Sequence, residues 1–292
     1  MKITHLRNID IDRTRWDSCI AQSYNQLTYA YSWYLDVVSP KWEALIGDDY
    51  EYVMPLPFKT KYKVPYLVQP ILTQQLGIFS KHKIEESLVE EFIKEIPYYS
   101  YELNFNEENY TSNAIVCPNF VLNLNQVYNQ IALHYSKNTI RNIEKAKKLN
   151  LSIRQISAAN EFDSFYHTVE KNYFTVTKTI LNKLITTGMA ENVITLHGVY
   201  SVENTLIAAL CLLHSPTRLT YLLPISNAEG KASSAMFLLI DKLIQENAGL
   251  NKSFDFEGSR IEGIARFYRG FGAKNYPYYT LKRFRPSFLI GK

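Results

Sequence analysis

The sequence predicts a mixed α/β (α+β) protein of two domains, and three observations lead there. The chain has 292 residues, enough for two ordinary domains or one large one. Hydrophobic residues make up 46% and charged residues 21%, the profile of a globular protein with a sizeable core. Segments of helical period alternate with short strand-like runs, and no low-complexity tract interrupts them. The division is expected between residues 1–125 and 126–292.

In the first part, "RTRWDSCIAQSYN" has apolar positions at helical spacing. "KWEALIGDDYEYVMPLPFKTKYKVPYLVQP" reads as strand, Asp-Asp turn and strand, with Pro55 and Pro57 confining that strand to an edge or bulge. "KIEESLVEEFIKEI" is a helix with Ile84, Leu88, Phe92 and Ile93 on its apolar face. "YYSYELNF" and "AIVCPNFVLNL" read as strands.

The middle, "QVYNQIALHYSKNTIRNIEKAKKLN", is helical, with a restart at Ser136 or Asn138 and a stop at Asn150. Arg141, Lys145 and Lys148 fall on one face, Ile140 and Ile143 on the other. After it come the strand "LSIRQI", the helices "AANEFDSFYHTVEKNYF" and "KTILNKLITTGMA", and three strands with turns at "VEN" and "SPT". The helix "SSAMFLLIDKLIQENAG", the strand "KSFDFEG", the short helix "EGIARFYRG" and a last strand "YYTLKRF" follow. Gly270 or Gly272 is expected to take the left-handed conformation that ends the short helix and lets this last strand return to the sheet.

Net charge is +4 but uneven. Residues 84–109 carry eight Glu against one Lys, and residues 260–292 carry eight Lys or Arg against one Glu. The basic end suits an anionic ligand or a solvated surface. Three cysteines (Cys19, Cys117, Cys211) lie far apart in no metal spacing, which argues against a disulfide framework or a zinc site. His134, His167, His197 and His214 show no spacing suggestive of a metal or a triad. The opening residues lack the apolar core of a signal peptide, and the run near "TLIAALCLL" is about half of what a membrane span needs. A cytoplasmic protein with no membrane partner is expected.

Three segments in order carry a resemblance. "SKNTIRNIEKAKKLNLSI", "LIAALCLLHSPTRLTYLLPIS" and "FDFEGSRIEGIARFYRGFGA" resemble the basic helix, the paired central strands, and the closing strand and helix of GNAT-type acyltransferases. The subgroup resembled is the Fem-like one, in which two GNAT-like domains share a chain and whose members include peptidyltransferases that build peptidoglycan cross-bridges. The resemblance implies two domains, each a mixed, mostly antiparallel sheet flanked by helices. It covers residues 130–280 best; the first 125 match in general content only. It implies transfer of an acyl group to an amine on a small molecule or peptide, from acetyl-CoA or another acyl-CoA as co-substrate and without a metal.

Three tasks follow for such a reaction: holding the pyrophosphate, deprotonating the amine and supplying the leaving thiolate with a proton. For the first, Asn227-Ala228-Glu229-Gly230-Lys231-Ala232 is similar to the family pattern Gln/Arg-x-x-Gly-x-Gly/Ala, with Asn227 as the departure. Free amides and a helix dipole there suit an anion, with Gly230 permitting close approach and Lys231, Ser233 and Ser234 adding donors. The same residues also read as an ordinary turn before a capped helix. For the thiolate, Ala265 to Gly272 is similar to Ala-x-Leu-Tyr-x-x-x-Gly, with Phe267 for Leu, which makes Tyr268 the proton donor. Fem-like peptidyltransferases typically carry Lys at that place, so Tyr268 leans towards a thioester donor and away from aminoacyl-tRNA. For the amine, Asp255 and Glu257 alternate with Phe254 and Phe256, so both carboxylates lie on one strand face. They are base candidates, or else ion-pair partners of Arg260 or Arg266. Arg141, Lys145 and Lys148 offer a basic face to a phosphate-bearing substrate or tRNA, or simply a solvated one.

Overall fold

The structure, a computed structural model, describes residues 1–169 and 176–284. The end of the helix expected to reach Phe174, and Arg285 and Lys292 of the basic end, lie outside those residues. Two compact units form. One comprises residues 1–118 with 277–292, the other residues 119–276. The first division thus falls at Pro118, seven residues before the expected position, and the C-terminal segment joins the first unit.

The first unit contains β1 (Ile3–Leu6), α1 (Arg13–Gln22), α2 (Ser32–Val38), β2 (Glu43–Gly47), β3 (Tyr52–Leu56), β4 (Phe58–Lys61), β5 (Val64–Val68), β6 (Phe79–Ser80), α3 (Glu86–Lys94), β7 (Tyr101–Phe105) and β8 (Ile115–Cys117). Its strands divide into two sheets. One has the order β1-β2-β3-β6. The other has the order β4-β5-β7-β16-β8, where β16 is Tyr278–Arg283. Pro55 lies in β3 beyond Val53, the last residue paired to β6, so no ladder bond is lost on that side. Asp12 caps α1 by accepting from the Arg15 amide at 3.1 Å, and the helix buries Trp16 and Ile20. The amphipathic α3 turns Val89 and Phe92 inward. They join Leu45, Met54, Phe105 and Leu281 in one core.

The second unit runs β9 (Phe120–Asn123), α4 (Tyr128–Ala132), α5 (Lys137–Lys147), β10 (Ser152–Ile156), α6 (Ala159–Val169), α7 (Lys178–Ala190), β11 (Ile194–Tyr200), β12 (Leu206–His214), β13 (Arg218–Ser226), α8 (Ala228–Ala232), α9 (Ala235–Asn247), β14 (Ser253–Asp255), α10 (Glu262–Arg269) and β15 (Lys274–Asn275). Its seven strands take the order β10-β11-β12-β13-β14-β9-β15. All pairs are antiparallel except β13 with β14, which need a crossover, supplied by α8 and α9. The expected strand order holds from β10 to α10. The last strand differs: β16 pairs with β7 and β8 of the first unit. The sheet position next to β14 goes to β9, a segment expected in the first domain.

Local chemistry sets the helix ends. Ser136 accepts from the Thr139 amide at 3.1 Å and starts α5. Asn150, at φ 50°, stops the chain beyond it. Of the two apolar residues on the other face of α5, Ile143 is buried in the core, whereas Ile140 is 46% exposed. At the end of α10, Gly272 is the left-handed residue, at φ 83°. Gly270 stays helical and serves close packing: its carbonyl accepts from the Ser136 amide at 2.8 Å, and a Cβ there would lie 2.4 Å from Thr139 Oγ1.

Two predictions follow from this packing. A Cβ on Gly230 would stand 2.2 Å from the Ile207 carbonyl oxygen of β12, a backbone atom that cannot yield. Gly230→Ala is expected to cost about 2–3 kcal/mol, read as a lowered urea midpoint. The second concerns acid. Burial, helped by the charges of Lys252 and His197, lowers His214 to about 4. An unfolded His titrates near ~6.5. Between these values the unfolded chain binds a proton that the folded chain refuses, so stability falls as pH drops from about 6.5 to about 4. Urea midpoints across this range should decline for the native chain, and less for His214→Gln.

Candidate functional site

The second unit opens where β13 and β14 part. They share three register pairs, Arg218↔Ser253, Leu219↔Phe254 and Thr220↔Asp255. Beyond Asp255 the chain stays with β9: the Phe256 amide donates to the Phe120 carbonyl at 2.9 Å, and the Phe120 amide to that of Glu257 at 3.2 Å. β13 runs on to Ser226 bonded to β12 alone, so its edge from Tyr221 onward has no strand partner on the β14 side. A bulge between Tyr221 and Leu223 bends it there. Pro224, which has no N–H to donate, sits in this unpaired stretch. An exposed strand edge is a ready partner for an extended amide-bearing chain.

Tyr268 of α10 stands beside this opening and is 8% exposed. Its ring stacks on Phe256 at 5.0 Å and meets Tyr221 and Phe120, each at 6.0 Å. Among the described residues nothing hydrogen-bonds its hydroxyl. Burial, and then the charges of Glu257 and Asp255, push this phenol well above its usual range. The hydroxyl holds its proton tightly, so outright transfer to a thiolate of ordinary pKa (~8.5) is uphill. Hydrogen-bond donation to a developing charge is the chemistry it can supply.

The three catalytic candidates are therefore close enough to interact, but their services differ. Asp255 is 3% exposed and its oxygens are taken: Oδ2 by Arg218 at 2.7 Å, Oδ1 by the Glu257 amide at 2.9 Å. It fixes the strand end and is not placed as a base. The ion-pair partner of Asp255 is Arg218, on the strand paired to β14. Glu257 takes the left-handed conformation, φ 59°, so the strand alternation ends before it. The carboxylate nonetheless lies within electrostatic reach of Tyr268.

The expected phosphate loop is a helix of its own. Asn227 caps α8 by accepting from the Gly230 amide at 2.8 Å, which consumes a donor meant for the ligand. Gly230 is buried against β12, and its lack of a side chain serves that packing. Lys231 and Ala232 are exposed, while Ser233 and Ser234 are buried at the junction with α9. Ser234 has φ 61°, and its side chain makes no cap hydrogen bond to α9. The basic helix reaches this junction. Lys145 donates to the Ala232 carbonyl at 2.6 Å, and Ser234 Oγ donates to Asn142 Oδ1 at 2.8 Å. The first amides of α9 and the remaining N–H groups of the Lys145 ammonium are donors of the kind a phosphate takes, while the Ser233 hydroxyl is turned to the Gly230 carbonyl at 3.3 Å. Arg141 bonds Asn138 and Lys148 lies past the helix end, so neither joins this set. Sequence reasoning missed Arg218 and Asn142. Pro224, inside an otherwise regular strand run, was the one signal of the broken ladder.

Among the described residues no group of His, Cys, Asp and Glu is placed to hold a metal, and no helix is long and apolar enough to cross a membrane. No family model matches the chain. No curated protein matches it either. Solved structures do. FemX is 11% identical with a TM-score of 0.67, the match covering 99% of each chain. The C-terminal domain of a putative lysylphosphatidylglycerol synthetase from Agrobacterium fabrum is 9% identical with a TM-score of 0.58, over 92% of this chain and 91% of that one. A tandem GNAT protein from the clavulanic acid biosynthesis pathway is 9% identical with a TM-score of 0.51, over 96% and 98%. Similarity at these identities is similarity of fold, and it extends over nearly the whole chain: this protein has the tandem GNAT fold in its Fem-like form.

Proposed function

We propose that the protein is a cytoplasmic N-acyltransferase that moves an acyl group from a coenzyme A thioester to an amine on a small molecule or peptide. The observation that carries this reading is the Tyr268 hydroxyl, which no described residue hydrogen-bonds, within electrostatic reach of Glu257 where β13 and β14 part. Coenzyme A would lay its amide-bearing arm along the open edge of β13 and its phosphates at the start of α9, near Ser233, Lys231 and Lys145. The amine nitrogen attacks the thioester carbonyl, the N–C bond forms and the C–S bond breaks. Glu257 takes the amine proton and passes it to solvent. Tyr268 donates a hydrogen bond to the sulfur as negative charge builds there, and the sulfur is protonated as the coenzyme leaves.

A second reading is an aminoacyl-tRNA-dependent peptidyltransferase acting on a peptidoglycan precursor. The basic helix α5 and the Fem-like form of the fold favour it. Tyr268 in place of the Lys typical of that subgroup weighs against it. A catalytically silent binding protein is favoured only by the Gly230 amide being used internally.

Calorimetric titration with acetyl-CoA, longer acyl-CoA species and free coenzyme A tests the first reading. No heat at millimolar ligand rules it out. With binding established, Tyr268→Phe should bind as tightly as the native chain and turn over about 100-fold more slowly. Equal turnover removes Tyr268 from the mechanism. Loss of activity on ribonuclease treatment would transfer the assignment to the aminoacyl-tRNA reading.

A further inference from the structure

Residues 52–84 contain no Asp or Glu and five Lys. Lys81 and Lys83 are paired with Glu51 and Glu85. The other three, Lys59, Lys61 and Lys63, cluster on the β4–β5 hairpin and make no ion pair among the described residues. β4 is the outermost strand of its sheet. The register Lys61↔Val64 leaves a two-residue turn, Tyr62-Lys63, with both φ positive at 50° and 66°. That is the type I′ pattern, for which Asn-Gly or Asp-Gly is the unstrained choice. Tyr and Lys each bring the Cβ–carbonyl clash that glycine avoids. Little holds the strained tip: Tyr62 is 77% exposed, with the Lys61 ammonium over its ring at 5.8 Å, and Lys63 is exposed too. The base of the hairpin is rooted, with the Phe58 ring 5.8 Å from that of Tyr98 and β5 paired to β7.

Protection of a sheet edge accounts for Lys59 and Lys61. It does not account for an exposed aromatic ring, met only by the Lys61 ammonium among the described residues, in a strained turn among cations that lack an acidic partner there. We propose that this hairpin tip docks on an anionic lipid surface, with Tyr62 entering the headgroup layer and Lys59, Lys61 and Lys63 pairing with lipid phosphates. A single ring on a convex tip suits a flat interface; single-stranded nucleic acid is held in grooves with successive stacking platforms. The expectation of no membrane partner rested on the absence of a spanning segment, and a surface contact needs none.

The test uses the full chain and vesicles of equal phosphatidylglycerol and phosphatidylcholine, with phosphatidylcholine alone as comparison, read by co-sedimentation. Binding to the anionic vesicles alone is expected, weakening as salt rises. Each Lys→Gln change should weaken it about fivefold, and the triple Lys59→Gln, Lys61→Gln, Lys63→Gln change about 100-fold. Tyr62→Asn with Lys63→Gly relieves the turn. It should raise the melting temperature while lowering vesicle binding, a combination that a purely structural turn would not give. Absence of binding to anionic vesicles, or binding that neither variant alters, overturns the proposal. So does hairpin-dependent binding to a single-stranded RNA without binding to vesicles, which would assign the tip to nucleic acid.

Discussion

The arrangement of the second unit depends on one competition for hydrogen bonds. After Asp255 the chain can continue its ladder with β13 on one side or β9 on the other, and it keeps β9. Antiparallel bonds to Phe120 hold Phe256 and Glu257, and the parallel ladder ends after three pairs. Every backbone group needs a partner, so the abandoned edge of β13 is left for water or for a ligand. The bulge near Leu222 and Pro224 both reduce what that edge demands, and both lie where the ladder has stopped. The part-buried Arg218–Asp255 ion pair ties the first shared rung to the last, at the point where the strands part.

The space beside that point is closed by aromatic rings. Phe256, swung away from β13, stacks on Tyr268 and on Phe271, while Phe267 meets Phe237 of α9 edge-on at 4.6 Å. Such pairs contribute roughly 0.5–1.5 kcal/mol each beyond their buried area. They lock α10 against the sheet and so fix the direction of the Tyr268 hydroxyl. The structural and chemical readings of Tyr268 are therefore not rivals. The ring is the packing element and the hydroxyl is the polar tip left over. The same burial that orders the ring raises the affinity of the hydroxyl for its proton, which is why it suits donation of a hydrogen bond better than loss of a proton.

Much of this was legible in the sequence. Capping and stop residues such as Ser136 and Asn150 act within a few positions of themselves, and the strand order from β10 to α10 follows from local period and turns. What was not legible depends on partners far along the chain. That β16 leaves the second unit, and that β9 enters it, are choices between sheets that no local pattern distinguishes. Asp255 looked like a possible base because Arg218, 37 residues earlier, was not visible as its neighbour. Gly230 looked like a ligand-approach glycine because the Ile207 carbonyl that crowds it lies on another strand. In both cases the residue type was read correctly and the partner was not.

Two strained residues lie along this part of the chain, one inside the crossover and one just past β14. Ser234, at φ 61°, stands where α9 begins, and Glu257, at φ 59°, stands where the chain has left β14. Each left-handed, non-glycine position costs about 1–2 kcal/mol. Each is held by a neighbour: Ser234 through Asn142 of the basic helix, Glu257 through its amide bond to Asp255. Glycine would take either conformation without strain, but it carries neither a hydroxyl nor a carboxylate. These two hydrogen bonds help offset strain that glycine would not bring. Ser234 stands at the start of α9, and Glu257 lies within electrostatic reach of the Tyr268 phenol.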